Sequence, residues 1–226
     1  MINLEELNSE LEVLPPTDIV RHAFKNLFGD RLVVASSFGA DSAVMLHMAT
    51  QINPRIRVIM IDTGYLFPET HEYVITLKER LKLNLHVFYG KETPEEMERN
   101  HGQLWEYGEE GLSLYHSIRK VEPLRRAIQQ LKVKGILHGV RRDQTEHRSN
   151  LNVIERGYDG TFKIHPILKW TSRDIRSYNK THNLPEHPLF LQGYESIGDI
   201  HSTKPGERRS DRDLGESDEC GINYQI

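Results

Sequence analysis

The chain has a single cysteine, Cys220, in 226 residues. One thiol cannot close a disulfide within the chain, nor supply a cysteine-ligated zinc or iron–sulfur site. Long apolar runs are missing as well. No stretch approaches the roughly 18 apolar residues needed to cross a bilayer. The N-terminus, MINLEELNSELEVLPP, is acidic and has no basic cluster ahead of an apolar run, so it does not read as a secretory signal. The expected location is the cytoplasm, with no membrane partner. Positive charge is not in excess, since the formal net charge is -4. That argues against a general nucleic-acid binder and leaves room for local basic clusters around a small polyanion. No internal repeat is visible, and the length fits one α/β domain with or without an appendage.

What is present begins at residues 36–42, Ser-Ser-Phe-Gly-Ala-Asp-Ser. They follow the β-branched run 32–35 and precede apolar residues at helical spacing over 43–48. A strand that turns through small residues into a helix makes a socket of backbone N–H groups for an anion, usually a phosphate. Ser36, Ser37, Phe38, Gly39 and Ser42 are its candidates, against the reading of an ordinary strand-to-helix turn. No lysine follows this loop as it does in a P-loop, so positive charge has to come from elsewhere.

Upstream, Ile2, Leu4, Leu7, Leu11 and Leu14 predict a packing helix that Pro15 and Pro16 end. Thr17 is placed to cap a second helix running to about Phe28. Downstream, a continuous apolar run predicts a central strand over 56–61, covered on both faces. It ends in Asp62, Thr63 and Gly64, and Pro68 opens the next helix. The loops after these two strands should face one crevice, although Asp62 also reads as a turn former or helix cap. Residues 85–89 read as a third strand and 94–105 as an acidic helix. Arg119 and Lys120 sit before a helix that continues through Arg126, where a solvated face is the ordinary expectation. Residues 135–140 read as a fourth strand that runs into Arg141, Arg142 and Arg148. Three arginines at a strand's carboxyl end favour an anion partner over a surface ion-pair network. Residues 162–167 read as an edge strand, and Thr171 with Asp174 as the capping-box start of a helix ending near His182. From 204 to 219 most positions are charged, a composition that cannot order itself by burial. This predicts a core of residues 1–203 and a mobile arm, 204–226, that carries Cys220.

With these pieces in view, the chain resembles the 3'-phosphoadenylylsulfate (PAPS) reductases of sulfate assimilation. The likeness rests on SSFG at 36–39, DTGYLFPET at 62–70, KVEPL at 120–124, GVRR at 139–142 and ECGI at 219–222. It implies an α/β, adenine-nucleotide hydrolase-like (PP-loop) fold, a mainly parallel sheet flanked by helices. It also implies a nucleophilic Cys220, PAPS as substrate, thioredoxin or glutaredoxin as the dithiol donor, and a homodimer. Relatives that reduce adenylylsulfate (APS) carry a four-iron cluster on four cysteines. Here Tyr115, His116, Asp199 and Ser202 stand at those positions, so the expectation is no bound cofactor and no metal, with APS as an alternative substrate. Ser217, Asp218 and Asn223 depart from the basic residue and histidine usual around the cysteine. Asp218 and Glu219 should raise the thiol pKa, so Lys120, Arg148 and the arm's Arg208, Arg209 or Arg212 are expected to activate it once the arm folds over the nucleotide. Lys120, Arg141, Arg142 and Arg148 are the candidates for the nucleotide's phosphates. An ATP pyrophosphatase-type adenylating enzyme is the competing enzyme class. There Ser37 and Phe38 would replace two loop glycines and the terminal Glu-Cys-Gly would have no role.

Overall fold

The computed structural model describes residues 3–157 and 159–208. Helix α1 (Leu4–Leu11) is capped by Asn3, whose side chain accepts from the Glu6 N–H. Helix α2 (Pro16–His22) has proline at its first position, where no N–H is needed, so Pro15 and not Thr17 stands at the cap. The remainder of that predicted helix, Ala23–Phe28, is wound as a π-helix. Strand β1 (Leu32–Ala35) leads through residues 36–41 into α3 (Ser42–Ile52). Then come β2 (Arg57–Asp62), α4 (Pro68–Leu81), β3 (Asn84–Tyr89) and α5 (Pro94–His101). Helix α5 opens with a Thr93–Glu96 capping box and stops at Gly102, short of the predicted end. Helices α6 (Gly108–His116) and α7 (Glu122–Gln130) flank a π-helical turn, Ser117–Val121. The chain closes with β4 (Gly135–Leu137), α8 (Glu146–Ser149), β5 (Ile154–Arg156), β6 (Phe162–Ile164) and α9 (Ser172–Thr181). The Thr171–Asp174 capping box of α9 is present as read.

The strands pair in the order β3-β2-β1-β4-β6-β5, parallel throughout except for β5 against β6. Two expectations change. Strand β4 is shorter than 135–140, and β6 is not an edge, because β5 covers it. At three residues, β5 is too short to show a period in the sequence. Its outer rim is closed by Asn8, whose amide donates to the Ile154 C=O and accepts from the Ile154 N–H, both at 2.9 Å.

Alternation along the strands feeds two cores. Val34, Val58, Met60, Leu137 and Ile164 pack with α2, α3, α4 and α9. Val33, Ile59 and Ile136 face the other way onto Leu124, Ala127 and Ile128 of α7. Each such aliphatic side chain, fully buried, stabilises the fold by about 1.5–3 kcal/mol. Among the described residues no helix is long and apolar enough to cross a membrane.

Candidate active site

Sheet order decides where a ligand can sit. After β1 the chain lays β2 and β3 on one side of it and then β4 on the other. The loops leaving β1 and β4 therefore diverge and open a crevice beyond their carboxyl ends. A cavity of about 660 Å³ lies there. Its walls include Ser36, Ser37, Gly39 and Ser42 after β1, Thr63 after β2, and His138, Arg141 and Arg148 after β4. Lys120, Ser172 and Arg176 of α9, residues 195–199 and Arg208 complete them.

The loop after β1 is shaped from within. The Ser42 N–H and hydroxyl both donate to the Gly39 C=O, at 3.1 and 2.6 Å, and the Phe38 N–H donates to Ser36 Oγ at 3.1 Å. Phe38 has φ of 54°, a left-handed conformation that costs a residue with a Cβ about 1–2 kcal/mol. Its ring is wholly buried in the core and offsets that cost by an amount of similar size. Phe38 thus keeps a glycine-like backbone at a non-glycine position, and it supports the loop without lining the cavity. Asp41 sits at the N-cap of α3 but makes no capping hydrogen bond, because its carboxylate is paired with Arg141. The first turn of α3 is left without a side-chain cap at the cavity wall, where an anion would complete it.

The three arginines after β4 part company. Arg141 is 4% exposed and lies between Asp41, Asp143 at 3.0 Å and Ser172 Oγ at 3.1 Å. Burial works against its charge, but the two carboxylates outweigh it and raise its pKa. Arg148 is buried and donates to Gln144 Oε1, which also accepts from the Arg141 N–H at 3.0 Å. Arg142, expected at the nucleotide, turns the other way. It donates to the Leu151 C=O at 2.9 Å and pairs with Glu12 at 3.1 Å, tying the end of α1 to the turn before β5, and it does not line the cavity.

After β2 the division is similar. Thr63 reaches the cavity, but Asp62 and Gly64 do not. Asp62 acts as the turn former, its Oδ1 accepting from the Gly64 N–H at 2.9 Å. Gly64, at φ 78°, makes room for a neighbour: a Cβ there would lie 2.9 Å from Arg119 Nη2, and one on Gly90 would lie 2.7 Å from Nη1. The guanidinium between them donates to the Thr63 C=O at 2.7 Å and to the Glu92 C=O at 2.6 Å. Arg119 and Lys120 are both buried, against the solvated face that a basic pair ordinarily forms, and Lys120, the phosphate candidate of the two, lines the cavity. In a regular helix, successive side chains diverge by about 100°. The extra residue in the π-helical turn lets this pair serve the interior together.

Lys120 Nζ lies 2.8 Å from Asp199 Oδ2, and the other Asp199 oxygen accepts from the Thr63 hydroxyl. Burial alone would raise the Asp199 pKa, but the Lys120 charge and the hydrogen bonds from Lys120 and Thr63 hold its carboxyl well below the usual range. Beside this pair, Tyr115 meets the His201 ring edge-on at 4.8 Å and lies 5.4 Å from the Lys120 ammonium, while His201 stacks on Trp105 at 4.2 Å. Tyr115, His116, Asp199 and Ser202 offer no thiolate, and packed rings occupy the place where they converge. These residues do not fit an iron–sulfur cluster. Among the described residues, no three His, Cys, Asp or Glu side chains gather as a metal would require.

Sequence reasoning missed Ser172 and Arg176, which stand one turn apart at the start of α9, and His138. The i, i+4 spacing just after the capping box was a legible signal for the first two. Cys220, Arg209 and Arg212 lie outside the described residues.

Known proteins resemble this chain over most of its length. A phosphoadenosine 5'-phosphosulfate reductase of Xylella fastidiosa strain M12 is 47% identical over 228 residues, spanning 99% of this chain and 95% of that protein. A crystal structure of phosphoadenylyl-sulfate (PAPS) reductase from Candida auris, a phosphate complex, superposes with a TM-score of 0.77 at 33% identity, over 88% of this chain and 95% of that one. The Candida glabrata FMN adenylyltransferase, solved with FAD and pyrophosphate, gives 0.63 at 14% identity over 88% and 71%, a likeness of fold alone. The fold is thus the PP-loop type expected, a mostly parallel sheet flanked by helices. With residues 31–205 also matching the phosphoadenosine phosphosulfate reductase domain, the chain belongs to that family.

Proposed function

We propose that this protein reduces 3'-phosphoadenylylsulfate to sulfite and adenosine 3',5'-bisphosphate in assimilatory sulfate reduction. The observation that carries the reading is the cavity at the switch point between β1 and β4. There the Ser36–Ser42 loop faces Lys120, Arg141 and Arg148, in a chain whose relatives bear the name of this reductase. Such a cavity suits a ligand with anionic groups at both ends. Ser36, Ser37, Gly39 and Ser42 hold the 5'-phosphosulfate, Thr63 lines the adenosine side, and the arginines with Arg208 serve the remaining phosphate.

The electron count sets the mechanism. Reduction of the sulfonyl group takes two electrons, and this chain has one thiol. The Cys220 thiolate attacks the sulfur, the bond from sulfur to the bridging oxygen breaks, and adenosine 3',5'-bisphosphate leaves with that electron pair. S-sulfocysteine remains on the enzyme. A thiolate of reduced thioredoxin, or glutaredoxin, then attacks the Cys220 sulfur and displaces sulfite. The partner's second thiol resolves the mixed disulfide, supplying both electrons. The reaction runs without an iron–sulfur cluster, in the cytoplasm, and the active form is a homodimer. Tyr115 and Asp199 at two of the positions where cluster-bearing relatives have cysteines support the first of these statements.

The test is sulfite release from PAPS and from APS in parallel, with and without reduced thioredoxin. Release from PAPS that depends on thioredoxin is expected. ATP consumption with pyrophosphate release, and no sulfite, would replace this reading with an adenylating enzyme.

A further inference from the structure

We infer that Asp199 is a positioning residue for this reaction, acting through Lys120. The inference rests on the functional reading above and adds a role to a residue that cannot itself bind an anionic substrate.

A carboxylate at the wall of an anion site is unfavourable by itself. Asp199 is 2% exposed, lines the cavity, and repels any phosphate or sulfate that enters. Its surroundings show what offsets that cost. Its two oxygens are divided between Thr63 Oγ1 and Lys120 Nζ. Its backbone is pinned to the loop after β2, through a bridge to Leu66 and the bond from the Ile200 N–H to the Tyr65 C=O at 2.8 Å. Lys120 arrives on the π-helical turn, which Arg119 anchors to the same loop through the Thr63 C=O. One residue, Thr63, thus joins the two sides, and the carboxylate sits at the junction.

A lysine side chain has four rotatable bonds, and ordering it carries one of the larger side-chain entropy costs. Clamped by Asp199 and backed by the Tyr115 ring, the Lys120 ammonium has that cost met before substrate arrives. An ammonium has three donors, so one carboxylate can orient it without exhausting it. Positioning of this kind favours the reacting geometry more than ground-state affinity. The repulsion from Asp199 meanwhile keeps product from binding too tightly.

These opposed effects give the role a signature. Asp199→Asn keeps the size of the side chain and an acceptor for Thr63 but removes the charge. Its kcat should fall at least about tenfold, while its Kd for adenosine 3',5'-bisphosphate stays within about threefold of wild type or tightens. Asp199→Glu, with the charge restored, should recover part of the kcat. In a Lys120→Met background, Asp199→Asn should add no further loss of kcat, because the partner it positions is gone.

The experiment measures kcat with PAPS and thioredoxin, and Kd by calorimetry, for wild type, both single variants, the double variant and Asp199→Glu, with melting curves to confirm folding. Losses that multiply in the double variant, or a Kd that weakens in parallel with kcat, overturn the role of Asp199 alone. A wild type that releases no sulfite overturns the functional reading and this inference with it.

Discussion

Arg141 reaches back to Asp41 and joins the loop after β4 to the first turn of α3. The contact spans the crevice at which the sheet changes direction, so the two walls of the cavity are held by one ion pair. Asp143 and Ser172 complete the ring around the guanidinium.

Arg141→Met should therefore injure both fold and site. Removing one partner of a buried pair costs about 3–5 kcal/mol, and because Asp41 and Asp143 are partly solvated the loss should lie near the lower end. Denaturant unfolding reads the stability, and calorimetry with adenosine 3',5'-bisphosphate should show binding weakened by at least about tenfold.

Arg142 and Arg148 make a matched pair for separating structure from binding. Arg142→Ala loses a half-exposed contact to Glu12, worth about 1 kcal/mol or less, and should leave nucleotide affinity within about twofold. Arg148→Ala, at the cavity wall, should weaken affinity by about tenfold or more. Equal effects of the two variants on Kd would contradict the placement of Arg148 at the cavity and Arg142 away from it.

Phe38 offers a test of backbone strain. Phe38→Ala loses the buried ring and keeps the left-handed backbone, for a loss of about 3–5 kcal/mol. Phe38→Gly leaves the same hole but relieves the conformation, so it should be the more stable of the two by about 1 kcal/mol. Thermal melts of both variants decide the order.

His187 should make the protein acid-sensitive well above the carboxylate range. It is fully buried, its Nδ1 accepts from the Leu189 N–H at 3.2 Å, and its Nε2 meets Thr70 Oγ1 at 3.1 Å. Burial lowers its pKa to about 4. Between pH 6.5 and pH 4 the unfolded chain takes up a proton that the folded one refuses. The stability from neutral His187 is thus complete above pH 6.5 and is lost as pH falls towards 4. His165, wholly buried and shifted the same way, adds to the slope. Melting temperature against pH should fall in this window, and less steeply in His187→Gln.

Cys220→Ser should abolish sulfite formation and retain nucleotide binding, measured by the sulfite assay and calorimetry on the same preparation. Normal turnover by this variant would sink the one-thiol mechanism.

Much of this was legible in the residues. The apolar run of β2, the strand-to-helix turn at 36–42 and the capping box at Thr171 are short-range signals, because period, turn chemistry and caps are decided within a few residues of chain. The lone thiol and the absence of cluster cysteines followed from counting. What the sequence could not decide was direction. Arg141 and Arg142 are neighbours with the same chemistry, and only the path of the chain after β4 sends one to Asp41 and the other to Glu12. The resemblance marks Lys120 as a phosphate candidate, but a regular helical period gives Arg119 and Lys120 only a wet face, because it cannot anticipate a π-helical turn whose partners are the Thr63 C=O and Asp199, far away in the chain. Strand β5 and the cover it gives β6 were likewise settled by pairing across the sheet, not by propensity. Local chemistry thus determined the loop, the Thr171 cap and the count of one thiol. The tertiary structure alone decided which charges meet, because a buried charge goes where a partner can offset its desolvation.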